Sequence, residues 1–149
     1  MSNGETVAFS GANDHFSMNA WDDYYSLATS GAGLVTVYGN LSSLVAGMQS
    51  IESNLFINLF RENANLVNAS NLIMLNENGY RIYNYMFFSC SNLLYGPDVL
   101  PATSLVGEDY AQMFMYCGSL RKSPKIMIDT NGLVGGAMYG MFQYCDNLR

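Results

Sequence analysis

Cys90, Cys117 and Cys145 are the residues of this 149-residue chain best suited to chemistry, and their spacing of 27 and 28 residues shows what kind to expect. A nucleophilic thiolate needs an electropositive, partly open setting. A zinc site needs further Cys or His at ligand spacing, and His15 is the one histidine in the chain. Three cysteines in a secreted protein would ordinarily leave one thiol unpaired. These three instead share one position in a repeat. That points to a buried column of reduced cysteines acting as small hydrophobes, with a redox or metal role as the alternative. Asp14 with His15, or Asp22 with Asp23, could be imagined as acid–base machinery, but such work needs a substrate pocket and a tuned pKa. The chain has no GxSxG, GxxxxGK or HExxH motif. The expectation is a non-enzyme with no metal and no cofactor.

The repeat that places the cysteines reads MF-x-x-C-x-x-L. It occurs at Met86, Phe87, Cys90 and Leu93, then at Met113, Phe114, Cys117 and Leu120, and again at Met141, Phe142, Cys145 and Leu148. One period earlier, Leu59 and Phe60 open a degenerate copy with Asn63 in the cysteine place. Pro97 and Pro124 recur at the same period. Tyr83, Met86, Phe87 and Cys90 fall at i, i+3, i+4 and i+7, the spacing of one helix face. The same spacing holds for Tyr110 to Cys117, Met138 to Cys145 and Phe56 to Asn63. A helix of about two turns does not persist alone, so neighbouring copies must hold it. Leu93 to Leu100 and Leu120 to Ile128 read as short strands, interrupted by the prolines. The sequence therefore predicts an α/β repeat fold, a right-handed leucine-rich-repeat-like solenoid with one short helix and one short strand per 27–28-residue unit. Residues 55–149 supply four units, the first degenerate and the last incomplete. Residues 1–54 supply an N-terminal β-rich cap, with strands at Thr6–Phe9 and Leu34–Tyr38 and turns at Gly11 and Gly31–Gly33.

At these residues the chain resembles the BspA-type leucine-rich repeat family. Tyr110 through Pro124 matches the family unit, Leu100-Pro101-Ala102-Thr103-Ser104-Leu105 matches its LPAT-x-L signature, and Val37 to Leu44 looks like the YGN-x-x-SL stretch that often precedes such repeats. The resemblance covers roughly residues 34 to 149. This chain departs from the family in a longer unit, in Asp109 standing where a cysteine usually precedes the tyrosine, and in the loss of LPAT at Ile126 to Thr130. The resemblance implies surface or secreted proteins of host-associated bacteria, protozoa and gut phages, with adhesion or host-factor binding as the usual role.

Composition narrows the partners. The net charge is −6, and residues 1–60 contain no Lys or Arg, so the electrostatic term that drives nucleic-acid binding is missing. Solubility rests on 16 Asn and 15 Ser rather than on charge. Eleven Tyr, 8 Phe and 10 Met supply the apolar area that disordered chains lack. No apolar run is long enough to span a bilayer, and the first residues do not read as a signal peptide. The sequons at Asn40 and Asn68 are read as chance.

Off the apolar stripe, Tyr95, Tyr116 and Tyr144 are either ordinary half-buried rings or exposed, rigid amphipathic ones. In the second case they are candidate binding residues together with Asp98, Arg121 and Lys125. The function expected is a non-catalytic adhesion module for a protein or glycan on a host or cell surface. The alternative is a structural virion component, a fibre or decoration protein, which the lack of a signal peptide favours. The location is accordingly extracellular, cell-surface or virion. Because Arg149 follows directly on the last motif, the C-terminal end is expected to expose apolar flank and to self-associate or to continue into a longer array.

Overall fold

A computed structural model describes residues 6–9, 26–77, 79–129 and 131–149. Gly11, Asp14, His15, Asp22 and Asp23 lie outside the described residues. The structure corrects the architecture expected from the sequence. No α-helix forms at Phe56–Asn63, Tyr83–Cys90, Tyr110–Cys117 or Met138–Cys145, so the helix-plus-strand leucine-rich-repeat solenoid is not what this chain builds. Thr6–Phe9 is exposed and forms no strand, and Leu34–Tyr38 contributes only a two-residue strand.

Regular structure among the described residues is sparse. It comprises β1 (Val35–Thr36), β2 (Gly39–Asn40), β3 (Leu66–Asn68), β4 (Leu72–Ile73), β5 (Val99–Leu100), β6 (Lys125–Ile126) and one 3-10 turn at Leu41–Leu44. The strands pair in parallel as β1 with β3, β2 with β4, and β5 with β6. Single bridges join Asn68 to Tyr95 and Tyr95 to Lys122.

What replaces the helices is a ribbon of overlapping turns. In the second copy, the amides of Asn84, Met86, Phe88 and Cys90 donate to carbonyls three residues back, at Arg81, Tyr83, Tyr85 and Phe87. The intervening amides of Tyr83, Tyr85, Phe87 and Ser89 donate instead to Asp109, Ala111, Met113 and Met115 of the next copy, at 2.8–3.2 Å. The same alternation links the first copy to the second and the third to the fourth, as in Phe60 to Met86 and Phe114 to Met141. Every second donor thus leaves its own copy, so backbone pairing is completed only by a neighbour.

The ribbon bends because every fourth residue takes a left-handed conformation. These are Asn54, Asn58 and Glu62; Arg81, Tyr85 and Ser89; Gln112 and Tyr116; and Tyr144, with φ of 54–64°. Gly136 and Gly140 hold the corresponding places in the last copy. In the three-back turns such as Tyr83–Met86 and Phe114–Cys117, the positive φ sits at the third residue, as a type II turn requires. Glycine and asparagine accept it readily, whereas tyrosine, arginine and glutamine bear a cost. A turn ribbon with a four-residue period places i, i+3, i+4 and i+7 on one side almost as a 3.6-residue helix does. That explains why the apolar spacing looked helical.

Stacking the copies aligns like with like. Phe60, Phe87, Phe114 and Phe142 form one column with ring centroids 5.3, 5.3 and 5.5 Å apart. Phe56, Tyr83 and Tyr110 form a second, at 5.9 and 5.5 Å. Each such contact adds about 0.5–1.5 kcal/mol beyond area burial. Leu59, Phe60, Met86, Phe87, Cys90, Leu93, Met113, Phe114, Cys117, Leu120 and Met141 are buried in one core, while Phe142, Cys145 and Leu148 are half-buried against it.

The degenerate first copy keeps the same chemistry by other means. Asn63, in the cysteine place, donates its amide to Leu27 O at 3.1 Å and accepts from Thr29 Oγ1 at 2.8 Å. Both sequon asparagines have a structural role. The Asn40 and Asn68 side chains each accept from the backbone amide two residues on, Ser42 and Ser70, at 2.9 Å, the local competition with regular structure that asparagine favours.

Candidate binding surface

The cysteine column is built for inertness. Cys90 Sγ donates to Phe60 O at 2.9 Å, Cys117 Sγ to Phe87 O at 3.0 Å and Cys145 Sγ to Phe114 O at 3.0 Å, each thiol reaching back to the phenylalanine of the preceding copy. All three are free of disulfides; Cys90 and Cys117 are buried and Cys145 is half-buried. Burial pushes the Cys90 thiol up to about 12 and the Cys145 thiol to about 11. Cys117 rises further still, through burial first and its two neighbouring cysteines second. A thiol held protonated at neutral pH is a poor nucleophile. Among the described residues no group of three His, Cys, Asp or Glu converges as a metal site. Native labelling with a thiol reagent at neutral pH is expected to modify Cys145 first and slowly, with Cys90 and Cys117 reacting only on unfolding. Rapid labelling of all three would contradict the column.

Asp109 is the outlier of the interior. It is fully buried, and neither carboxylate oxygen has a hydrogen-bond partner. Desolvation pushes it up to about 7; the backbone amides of Tyr83, Ile82 and Gly79 lie near enough to oppose the shift without reaching hydrogen-bond geometry. Burial and the nearby carboxylate also raise the Tyr110 phenol well above its ordinary range.

The outer side of the turn ribbon carries an aromatic row. Tyr116 and Tyr144 are 45% and 51% exposed and stack at 4.7 Å with a 10° interplanar angle. Phe88 meets the Tyr116 ring edge-on at 5.5 Å, and Arg61 lies 4.7 Å above the Phe88 ring. Tyr85 packs edge-on against Phe88 at 5.2 Å. The row therefore runs from Arg61 through all four copies, which a helical reading could not reveal. Tyr116 and Tyr144 occupy the left-handed positions, and that geometry sets the rings on the outer side.

Beside this row lies an open groove of about 290 Å³ reaching from Arg81 and Tyr85 to Tyr139. One end carries the Arg81–Glu108 ion pair, with Nε to Oε2 at 3.0 Å. None of these groove residues was singled out by motif, because their positions are linked only through stacking of the copies.

The six candidate binding residues fall into two groups. Tyr116 and Tyr144 touch each other in the aromatic row. Tyr95, Asp98, Arg121 and Lys125 are all exposed on the strand-bearing segments. There the Lys125 amide donates to Asp98 O at 2.8 Å, the Arg121 amide donates to Leu94 O at 3.0 Å, and Asp98 pairs with Lys122 at 3.5 Å. Among the described residues no helix is long and apolar enough to cross a membrane. No protein-family model, curated protein or solved structure matches this chain.

Proposed function

We propose that this chain is a non-catalytic binding module that presents its aromatic row to a protein or glycan at a host or cell surface. The observation that carries this reading is the continuous run of half-buried Phe88 and exposed Tyr116 and Tyr144, fixed by ring contacts from copy to copy. Rings held in place lose little entropy on binding, and a phenol offers both an apolar face and a hydrogen-bonding tip. The thiols of the column donate to carbonyls of the preceding copy, a packing role consistent with the same reading.

The test is adhesion of the labelled chain to epithelial and bacterial cell surfaces, wild type against the double variant Tyr116→Ala, Tyr144→Ala. Loss of the central aromatic anchors is expected to weaken adhesion about ten-fold or more, with the melting temperature little changed. No adhesion to either surface, or equal adhesion by the variant, would count against the proposal.

A further inference from the structure

Within that binding reading, on which it rests, we infer that the groove between Arg81 and Tyr139 is a subsite for a neutral saccharide. Its shape comes from missing side chains. Ala111 and Gly136 contribute little bulk, and Gly136, at φ +83°, stands where a Cβ would find Glu108 Cγ no nearer than 3.9 Å. Aromatic residues stand to either side of this recess. Tyr85 is half-buried on the second copy, and Tyr139 is 68% exposed on the fourth.

Several polar groups of the groove are planar. Beside the tyrosine hydroxyls they are the Arg81 guanidinium, the Glu108 carboxylate and the Gln112 carboxamide, whose Nε2 donates to Met115 Sδ at 3.1 Å and whose oxygen can accept. Paired donors and acceptors of this kind match vicinal hydroxyls on a sugar ring, while phenol faces match the apolar C–H face of the same ring. Arg81 and Glu108 neutralise each other at 3.0 Å, so the groove offers no net charge to an acidic or basic ligand. The chain's net charge of −6 further opposes sialylated or sulfated glycans. A peptide added as a strand would need an unpaired strand edge, and none of the groove residues belongs to a strand. Its volume, at the small end of ligand sites, suits a short oligosaccharide.

The experiment is a printed array of neutral gluco-, galacto- and manno-oligosaccharides alongside sialylated and sulfated members, probed with the full chain and with three variants. Neutral members are expected to bind. Tyr139→Ala and Gln112→Ala should each weaken them about ten-fold, while Ile73→Ala, exposed on β4 and away from the groove lining, leaves them unchanged. Unaltered melting temperatures establish that the variants fold. Binding confined to charged glycans, or neutral binding indifferent to Tyr139 and Gln112, overturns the inference. A blank array with adhesion still dependent on Tyr116 and Tyr144 overturns the saccharide subsite alone and leaves the aromatic-row proposal standing. A blank array with no adhesion overturns both.

Discussion

Replacing Phe114 with alanine should destabilise the fold by about 3–5 kcal/mol, the range for truncating a buried aromatic. The ring sits between Phe87 at 5.3 Å and Phe142 at 5.5 Å, so its loss opens two stacking contacts and a cavity. Gly96 shows how little slack surrounds it, since a Cβ there would come within 2.7 Å of Phe114 Cε1. Filling the void would require the Gly96 segment to move inward, against a backbone tied by Leu94 to Val67 and by Asp98 to Ser70. Urea unfolding of Phe114→Ala against wild type checks this. A loss under about 1 kcal/mol, which is ordinary for surface sites, would contradict the column.

Asp109 offers the opposite sign. A carboxyl raised from 3.8 to about 7 on folding binds its proton more tightly in the folded state, so ionising it opposes folding. The cost is absent below about pH 4, grows as pH rises through about 7, and is complete above that. The full difference corresponds to about 4 kcal/mol. Asp109→Ile, matching Ile82 in the preceding copy, is therefore expected to raise stability markedly at pH 8 and much less at pH 4. Asp109→Asn should flatten the same pH dependence with a smaller gain, because an unpaired polar group remains buried. Tyr83 and Tyr110, the titratable side chains facing Asp109, ionise only at far higher pH, so they do not blur the comparison. Thermal melts of the three proteins from pH 4 to 8 decide it. Parallel curves for wild type and Asp109→Ile would contradict a buried ionising carboxyl.

The period of 27–28 residues and the buried identities of Met86, Phe87, Cys90 and of Met113, Phe114, Cys117 were legible because stacked copies must place like side chains over like. The conformation linking them was not. The spacing i, i+3, i+4, i+7 is met both by a helix and by a ribbon with a left-handed residue every fourth position. Local propensity argued against the ribbon at Tyr85, Gln112 and Tyr116, which bear an unfavourable φ that only neighbouring copies repay. Gly136 and Gly140, and Asn54 and Asn58, each pair four residues apart, were the sequence hints of that period. The aromatic row was half legible: Tyr116 and Tyr144 stood off the apolar stripe, but Phe88 and Arg61 join them only through the stack. The groove was not legible, since Arg81, Gln112 and Tyr139 lie on three different copies. Asp109 broke the apolar pattern in the sequence, and it remains unpartnered in the fold.

The row and the groove exist only if the copies are joined by alternating turns rather than coiled as helices, and solution NMR of the backbone tests that claim most directly. The account predicts strong intraresidue amide-to-α-proton contacts, the mark of positive φ, at Tyr85, Ser89, Gln112, Tyr116 and Tyr144. It also predicts slow amide exchange at Tyr85 and Phe87, whose partners lie on the next copy. An unbroken run of helical shifts from Tyr83 to Cys90, with sequential amide contacts throughout, would contradict it.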